Sequence, residues 1–384
     1  MAGQSPLDVD ALLPVLNHIN LGVYITDLDR RILLWNRKAE EITGYRAADI
    51  VGTACHDDVL VHVDQNQNPL CSSELCPLHR AMTLGKESDE PVIVFAKKAD
   101  GQRIAVSVSV APLRDAAGNV VGGIEAFRDE TRRILDLEFA RKIQHGLLPK
   151  SLPQDPNMRF DARYYPCDLV GGDFYDLRTV APRRFGVLLA DVSGHGVSAA
   201  LYSTWLRSLC DSASALAPSP DEFIATMNRE LTRVTLDESF ATAFYAVVDA
   251  EHREVTYCNA GHPPPLHYHA ATRETTELHA AGLPLGILHQ EVYGAATIRL
   301  DPGDVILCYT DGVTEVTDRQ GDMLGREGLA ELLDRELSKL HADGADLLDR
   351  LYHRVVELCG DISLPDDVLL LSITGTAAPP EFNI

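Results

Sequence analysis

In the second half of the chain, four stretches place an aspartate at the end of an apolar run or in a glycine-containing turn. They are VGGDFYD (Asp173, Asp176), LLADVSGHG (Asp191), YTDGVTE (Asp311) and LPDDVLL (Asp366, Asp367). The runs FGVLLADV, ATAFYAVVDA, REVTYCNA and DVILCYT are rich in Val, Tyr and Phe, which suit a pleated, half-buried surface. A strand that carries a carboxylate into a tight turn presents that charge at the rim of a sheet. Glycines at 171, 172, 194, 196 and 312 let backbone come close to a small ligand. Taken singly, each aspartate reads as a turn or cap residue. Four strand-end placements in one domain point beyond that role. Carboxylates without His or Cys partners suit Mg²⁺ or Mn²⁺ better than Zn²⁺. Two such ions about 4 Å apart lower the pKa of a bridging water and clamp a phosphoryl group for in-line displacement.

At 384 residues the chain is too long for one ordinary core, so two domains are expected. The formal charge of -23 argues against nucleic acid or an anionic membrane as partner, because phosphates would be repelled. No signal peptide is visible at the N-terminus, and no apolar run approaches the roughly 20 residues needed to span a bilayer. Eight cysteines spread over both halves fit a reduced, cytoplasmic protein. Helices are expected at Ser198–Ser212 and Asp221–Val234, and again at Arg326–Leu340 and Ala345–Cys359, before a last strand at Val368–Ile373. Paired helices around many strands suggest sheet packed on sheet with helices outside. Residues 377–384 read as a flexible tail.

The first half is an α+β pattern. A strand-like run, Gly22 to Thr26, a polar turn at Asp27–Arg31 and a second run, Ile32 to Trp35, lead to Asn36. Asn36 is placed to cap a helix whose apolar positions Ala39 and Ile42 lie three apart. Further on, Val92–Ala96, a turn at Asp100-Gly101 and the alternating RIAVSVSVA read as a hairpin, with VVGGIEAFRDET as another strand. The order and spacing of ITDLDRRILLWNRKAEEITGY and FRDET resemble a PAS sensor domain over about residues 8–131. That resemblance implies an antiparallel sheet with flanking helices, a sensing function and dimerisation. It also permits haem or flavin, although no residue commits to either.

Residues 132–150 follow as an amphipathic helix with Phe139, Ile143 and Leu147 at four-residue spacing, ending before Pro149. Two readings stay open: a helix packed on its own domain, or a signalling helix that pairs with its copy in a homodimer.

From 151 to 376 the blocks ARYYPCDLVGGDFYD, LLADVSGHGVSAAL, FATAFYAVVD, NAGHPPPL, LPLGI, PGDVILCYTDGVTE and PDDVLLLSI resemble, in that order, the SpoIIE/RsbU-type branch of the PPM metal-dependent protein phosphatases. The resemblance implies an αββα sandwich binding two Mn²⁺ or Mg²⁺ ions. By it, Asp191 bridges the two metals, Asp311 and Asp366 complete one site, and Asp173 with the backbone carbonyl of Val192 serves the other. Asp367 is the alternative to Asp366. It further implies hydrolysis of phosphoserine or phosphothreonine on a protein, commonly a STAS-type anti-anti-sigma regulator in stress signalling. His195 is the nearest titratable candidate for a proton donor, but it lies four residues after Asp191 instead of two, and a turn histidine fits equally. Leu369 stands where the family often has Thr or Ser, which puts a supporting hydrogen bond in doubt. NAGHPPPL, with His262, reads as a structural loop under the rim. Competing functions are a catalytically silent scaffold, which would be expected to lack part of the aspartate set, and a small-molecule phosphohydrolase, which would need a closed pocket.

In the sensor half, Cys55, Cys71 and Cys76 accompany His56, His62 and His79 within 25 residues. Soft ligands at that density suit Zn²⁺ or an iron–sulfur cluster, with Cys55, Cys71, Cys76 and His79 as the candidate site. Metal-free thiol redox and simple burial are the alternatives. The other cysteines sit singly in apolar runs and are expected in the core.

Overall fold

A computed structural model describes residues 9–57, 59–71, 74–194, 196–233, 239–339, 347–360, 364 and 366–377. The chain divides into two compact units, Met1–Asp136 and Leu137–Ile384. The expected helix ends at Val234, Leu340 and Ala345, the residue His195 and nearly all of the tail lie outside the described residues.

The first unit is one antiparallel sheet with short helices. In chain order it holds α1 (Val9–Leu16), β1 (Gly22–Asp27), β2 (Ile32–Trp35), α2 (Arg37–Thr43), α3 (Ala47–Ile50), α4 (Pro77–Leu84), β3 (Val92–Lys97), β4 (Arg103–Arg114) and β5 (Val120–Asp129). The strand order is β2-β1-β5-β4-β3. Asn36 does what its position predicts and more. Its Oδ1 accepts from the Ala39 amide at 2.9 Å, capping α2, and also from the Val23 amide at 2.9 Å. Its amide nitrogen donates to the carbonyls of Leu16 at 2.8 Å and Leu21 at 2.9 Å. One fully buried side chain thus joins β1, α2 and the segment entering the sheet. Tyr24, Trp35 and Phe127 pack at ring separations of 5.4, 6.4 and 6.0 Å to close one end of the core.

Helix α5 (Thr131–Leu147) leads into the second unit. That unit contains β6 (Met158–Tyr165), β7 (Phe174–Ala181), β8 (Arg184–Val192), α6 (Val197–Ser212), α7 (Pro220–Thr232), β9 (Ala241–Asp249), β10 (Glu254–Ala260), β11 (Leu266–His269) and β12 (Glu274–Glu277). It continues through β13 (Ala295–Arg299), β14 (Val305–Tyr309), α8 (Asp311–Thr314), α9 (Gly325–Ser338), α10 (Leu347–Cys359) and β15 (Val368–Gly375). Two five-stranded antiparallel sheets form, β13-β10-β9-β8-β7 and β12-β11-β14-β15-β6. Alternation along the strands decides the layers. Val187, Leu189, Phe244 and Val248 of one sheet meet Ile306, Cys308, Leu371 and Ile373 of the other. The opposite faces carry Leu188 and Tyr245 against α6 and α7, and Leu307 and Leu370 against α9 and α10. This is the expected sandwich with helices outside.

The short strands β11, β12 and β13 were not legible as strands, because runs of four or five residues with mixed polarity carry little periodic signal. The apolar stripe on α5 also differs from a packed-helix reading: Phe139 is 66% and Ile143 49% exposed, and the helix is anchored to the second unit through a polar residue, Gln144.

Asn36→Ala orphans the amide of Val23 and three further groups inside the first unit. It should cost roughly 3 kcal/mol, as a lost cap plus buried unpaired backbone polar groups. Denaturant unfolding followed by Trp35 fluorescence in a Trp205→Phe background measures this.

Candidate active site

Antiparallel pairing brings the aspartates together. Asp173 immediately precedes β7 and Asp191 lies at the end of β8, so both stand on one rim of their sheet. Asp311 follows β14, and Asp366 and Asp367 precede β15, on the corresponding rim of the second sheet. Asp176 does not join them. It lies within β7 and pairs with Arg178 and, at 3.9 Å, with Arg207.

The link between the two sheets was not foreseen. Buried Thr310 donates its hydroxyl to Asp173 Oδ2 at 2.7 Å and accepts the Leu369 amide at 3.0 Å. Leu369 enters this link through its backbone amide. Its side chain fills the inter-sheet core, and the hydroxyl comes from the neighbouring strand. The signal in sequence was the Thr preceding Asp311 in YTDG.

The Asp366–Asp367 pair is divided by its surroundings. Buried Asp367 accepts from the Tyr164 hydroxyl at 3.1 Å and from the Cys167 amide at 2.9 Å. Exposed Asp366 accepts only the neighbouring Asp367 amide, at 2.8 Å, among the described residues. The adjacent glycines are steric requirements. A Cβ on Gly171 would stand 1.8 Å from Asp367 Oδ2, and one on Gly172 2.8 Å from the Val192 carbonyl oxygen.

Electrostatically the cluster is unbalanced. Among the described residues, no Lys or Arg forms an ion pair with Asp173, Asp191, Asp311, Asp366 or Asp367. Burial pushes Asp191 up to about 7, helped by Asp311 and Asp366 and opposed by a hydrogen bond with Asp173. Burial and then Asp191 hold Asp173 well above the ordinary carboxyl range. Asp311 is raised by burial and by Glu315. Uncompensated buried carboxylates of this kind are the donor set that hard divalent cations complete. Beside them lies a cleft of about 430 Å³ lined in part by Asp191, Asp311, His262, Pro263 and Arg326.

His262 behaves as a structural residue. Its amide donates to Asn259 Oδ1 at 2.8 Å, its carbonyl accepts from Asn259 at 2.9 Å, and its Nδ1 meets the Thr242 hydroxyl at 2.8 Å. Burial takes its pKa down to about 3.

Gln144 was also missed by sequence reasoning. Its amide nitrogen donates to the Gly171 carbonyl at 2.6 Å and to Ser203 at 3.0 Å, and its Oε1 accepts the Gly171 amide at 3.3 Å. The helix α5 thus holds the loop that carries Asp173.

Comparison with known families places this geometry. The family Stage II sporulation protein E (SpoIIE) matches residues 181–375, and a PAS domain matches residues 20–132. The chain belongs to the SpoIIE family. Among SpoIIE-type relatives, phosphoserine phosphatase RsbU of Bacillus subtilis is 28% identical over 236 residues, covering 62% of this chain and 69% of RsbU. Phosphoserine phosphatase RsbP of the same organism is 29% identical over 197 residues, covering 50% of this chain and 48% of RsbP. Among solved structures, the SiaA-PP2C domain of Pseudomonas aeruginosa superposes with a TM-score of 0.55 at 23% identity, over 63% of this chain and 97% of that one. The RsbU and RsbW domains of a Mycobacterium tuberculosis protein give a TM-score of 0.51 at 28% identity, over 61% and 64%. The fold is therefore PAS followed by a PP2C-like sandwich, and the chain is homologous to phosphoserine phosphatases. No helix among the described residues is long and apolar enough to cross a membrane.

Cys55, Cys71 and Cys76 are buried in the first unit, whereas His79 is partly exposed. Burial pushes the Cys71 thiol up to about 12 and the Cys55 thiol higher still. Among the described residues, no three His, Cys, Asp or Glu ligand atoms converge there within 4.8 Å. Near them, burial raises Glu125 to about 8 and takes His62 down to about 4, the two standing 3.7 Å apart.

Because Asp191 is raised in the folded state, the fold holds its proton more tightly than the unfolded chain does. The stability this contributes is present below the ordinary carboxyl value near 3.8 and is lost as pH rises through about 7. Metal-free protein should melt lower at pH 8 than at pH 5.5, and Asp191→Asn should narrow that gap. Thermal melts in chelator across this range give the comparison.

Proposed function

We propose that the second unit is a metal-dependent phosphatase for phosphoserine or phosphothreonine on a protein, with Asp173, Asp191, the Val192 carbonyl, Asp311 and Asp366 as its metal-binding groups. The observation that carries the reading is the convergence, from the strand ends of both sheets, of carboxylates that pair with no Lys or Arg among the described residues. Two Mn²⁺ or Mg²⁺ ions bound there would supply an activated water and neutralise charge on the phosphoryl group.

The chain's own residues have separable tasks. Asp191 occupies the centre, interacting with Asp173 on its own sheet and with Asp311 and Asp366 on the other. Thr310 fixes the orientation of Asp173 through one hydroxyl. Asp367 is committed to Tyr164 and Cys167, which favours Asp366 as the ligand of the pair. Burial lowers the His262 pKa, which argues against a general-acid role for it. His195 remains a candidate for that task. The resemblance to the SpoIIE/RsbU-type branch suggests a STAS-type anti-anti-sigma protein as substrate and a cytoplasmic role in stress signalling, and similarity to two phosphoserine phosphatases fits the chemistry.

Helix α5 connects the sensor to this chemistry. Its exposed Leu135, Phe139 and Ile143 recur every four residues, an apolar stripe suited to pairing with a second copy of the chain. Its buried Gln144 grips Gly171, two residues before Asp173. A change in α5 pairing, set by the PAS unit, would then be felt at the metal-binding loop.

Asp191→Asn and Asp366→Asn should each lower Mn²⁺-dependent phosphate release from a phosphorylated STAS-type protein by about 10³-fold, the equivalent of several kcal/mol of lost charge stabilisation. Asp367→Asn should act mainly on folding stability. Equal turnover by wild type and Asp191→Asn would sink the proposal. Gln144→Ala should reduce turnover roughly 10- to 100-fold, as loss of outer support around a metal site does, and should also lower the melting temperature, because it orphans the buried Gly171 amide and carbonyl. An unaltered rate would disconnect α5 from the site.

A further inference from the structure

The strand β11 ends on a second constellation, unrelated to the aspartate cluster. Its side chains alternate: Leu266 and Tyr268 enter the core under the outer helices, while His267 and His269 share the other face. Asp304 immediately precedes β14, whose register pairs His267 with Ile306 and Tyr268 with Val305. Continued by one residue, that register sets Asp304 across from His269. One ring nitrogen of each histidine and one carboxylate oxygen of Asp304 lie within 4.8 Å of one another.

Two details separate this group from an ordinary hydrogen-bonded cluster. His267 is only 2% exposed, yet its Nε2 has no hydrogen-bond partner, although it stands 3.4 Å from Asp304 Oδ2. A buried ring nitrogen without a partner is costly unless something absent from the protein chain completes it. Asp304 is also held in place from behind. Its Oδ1 accepts the Ala270 amide at 2.9 Å and its Oδ2 the Asp301 amide at 3.1 Å, and each oxygen keeps a lone pair. His269 is steadied by the Thr276 hydroxyl, 3.2 Å from its Nε2. Anchored ligands of this kind are characteristic of metal sites.

We propose that His267, His269 and Asp304 form a zinc site, with water completing the coordination. Two imidazoles and one carboxylate are a donor set for Zn²⁺, whereas the all-carboxylate cluster suits Mg²⁺ or Mn²⁺. Tetrahedral bonds of 2.0–2.1 Å put neighbouring ligand atoms about 3.4 Å apart, the separation found between His267 and Asp304. The site lies at the opposite end of β14 from Asp311, on the order of 20 Å away at strand spacing. It would staple β11 to the turn Asp301–Asp304, and the ion there would have no part in hydrolysis.

The test uses the full-length protein stripped of metal and then saturated with Mg²⁺. Zn²⁺ binding is measured by calorimetry and by metal analysis after gel filtration. Wild type should retain one more equivalent of Zn²⁺ than His269→Gln, whose affinity should fall at least about 100-fold. Zn²⁺ should raise the melting temperature of wild type and not that of His269→Gln, while Mn²⁺-dependent turnover stays the same in both. His269 is only half-buried, so its replacement is the variant expected to fold; His267→Asn provides the second measurement. Cobalt substituted at the site should give visible d–d bands without the sulfur-to-metal charge transfer that Cys167 or the sensor thiols would produce. Equal Zn²⁺ stoichiometry and affinity in wild type and both variants would overturn the proposal. So would loss of the extra zinc in Asp191→Asn alone, which would place that ion in the aspartate cluster.

Discussion

The second unit depends on a single electrostatic problem, the burial of several carboxylates at one edge of a sandwich. Each sheet alone would deliver its strand-end aspartates to solvent at little cost. Packing the sheets face to face brings these ends within interaction distance, and Asp191 is raised by groups from both sheets. Repulsion of this kind would splay the rim if nothing opposed it. The Thr310 hydroxyl, which joins Asp173 to the Leu369 amide, is the neutral tie that holds the rim shut. The inter-sheet core of Leu189, Phe244, Cys308 and Leu371 supplies the remaining adhesion.

Around that edge, the glycines decide how closely backbone can approach charge. Gly171 and Gly172 leave space that Asp367 and the Val192 carbonyl occupy, so the loop before β7 is pressed against both neighbours. Gln144 grasps the same loop from α5 with hydrogen bonds to both the amide and the carbonyl of Gly171. A glycine has no side chain with which to resist a pull on its backbone. The loop is therefore the place where α5 contacts the backbone that carries Asp173.

Much of this was legible in the residues. The PAS order of elements, the Asn36 cap, the strand-end aspartates and the family of the second half all follow from local patterns. What local pattern missed has a common cause. Thr310, Gln144 and the His267–His269–Asp304 group owe their roles to partners 137, 27 and 34 or more residues away, which no periodicity encodes. Strands β11 to β13 were missed because they are short and of mixed polarity. The α5 stripe was visible, but its exposure became apparent only beside the polar anchor that faces the unit.

By itself, the sequence determined which carboxylates would reach a sheet rim, because strand alternation and Asp-Gly turns are local properties. It also determined the order of the two units and the donor chemistry each region could offer. Only the tertiary structure gave Asp366 and Asp367 different surroundings, setting one against Tyr164 and Cys167 and leaving the other exposed. It paired Asp176 with arginines and set the Thr310 hydroxyl against Asp173. The physical reason is the same each time. A carboxylate's role is set by the donors and charges that surround it, and those are supplied by strands distant in the chain.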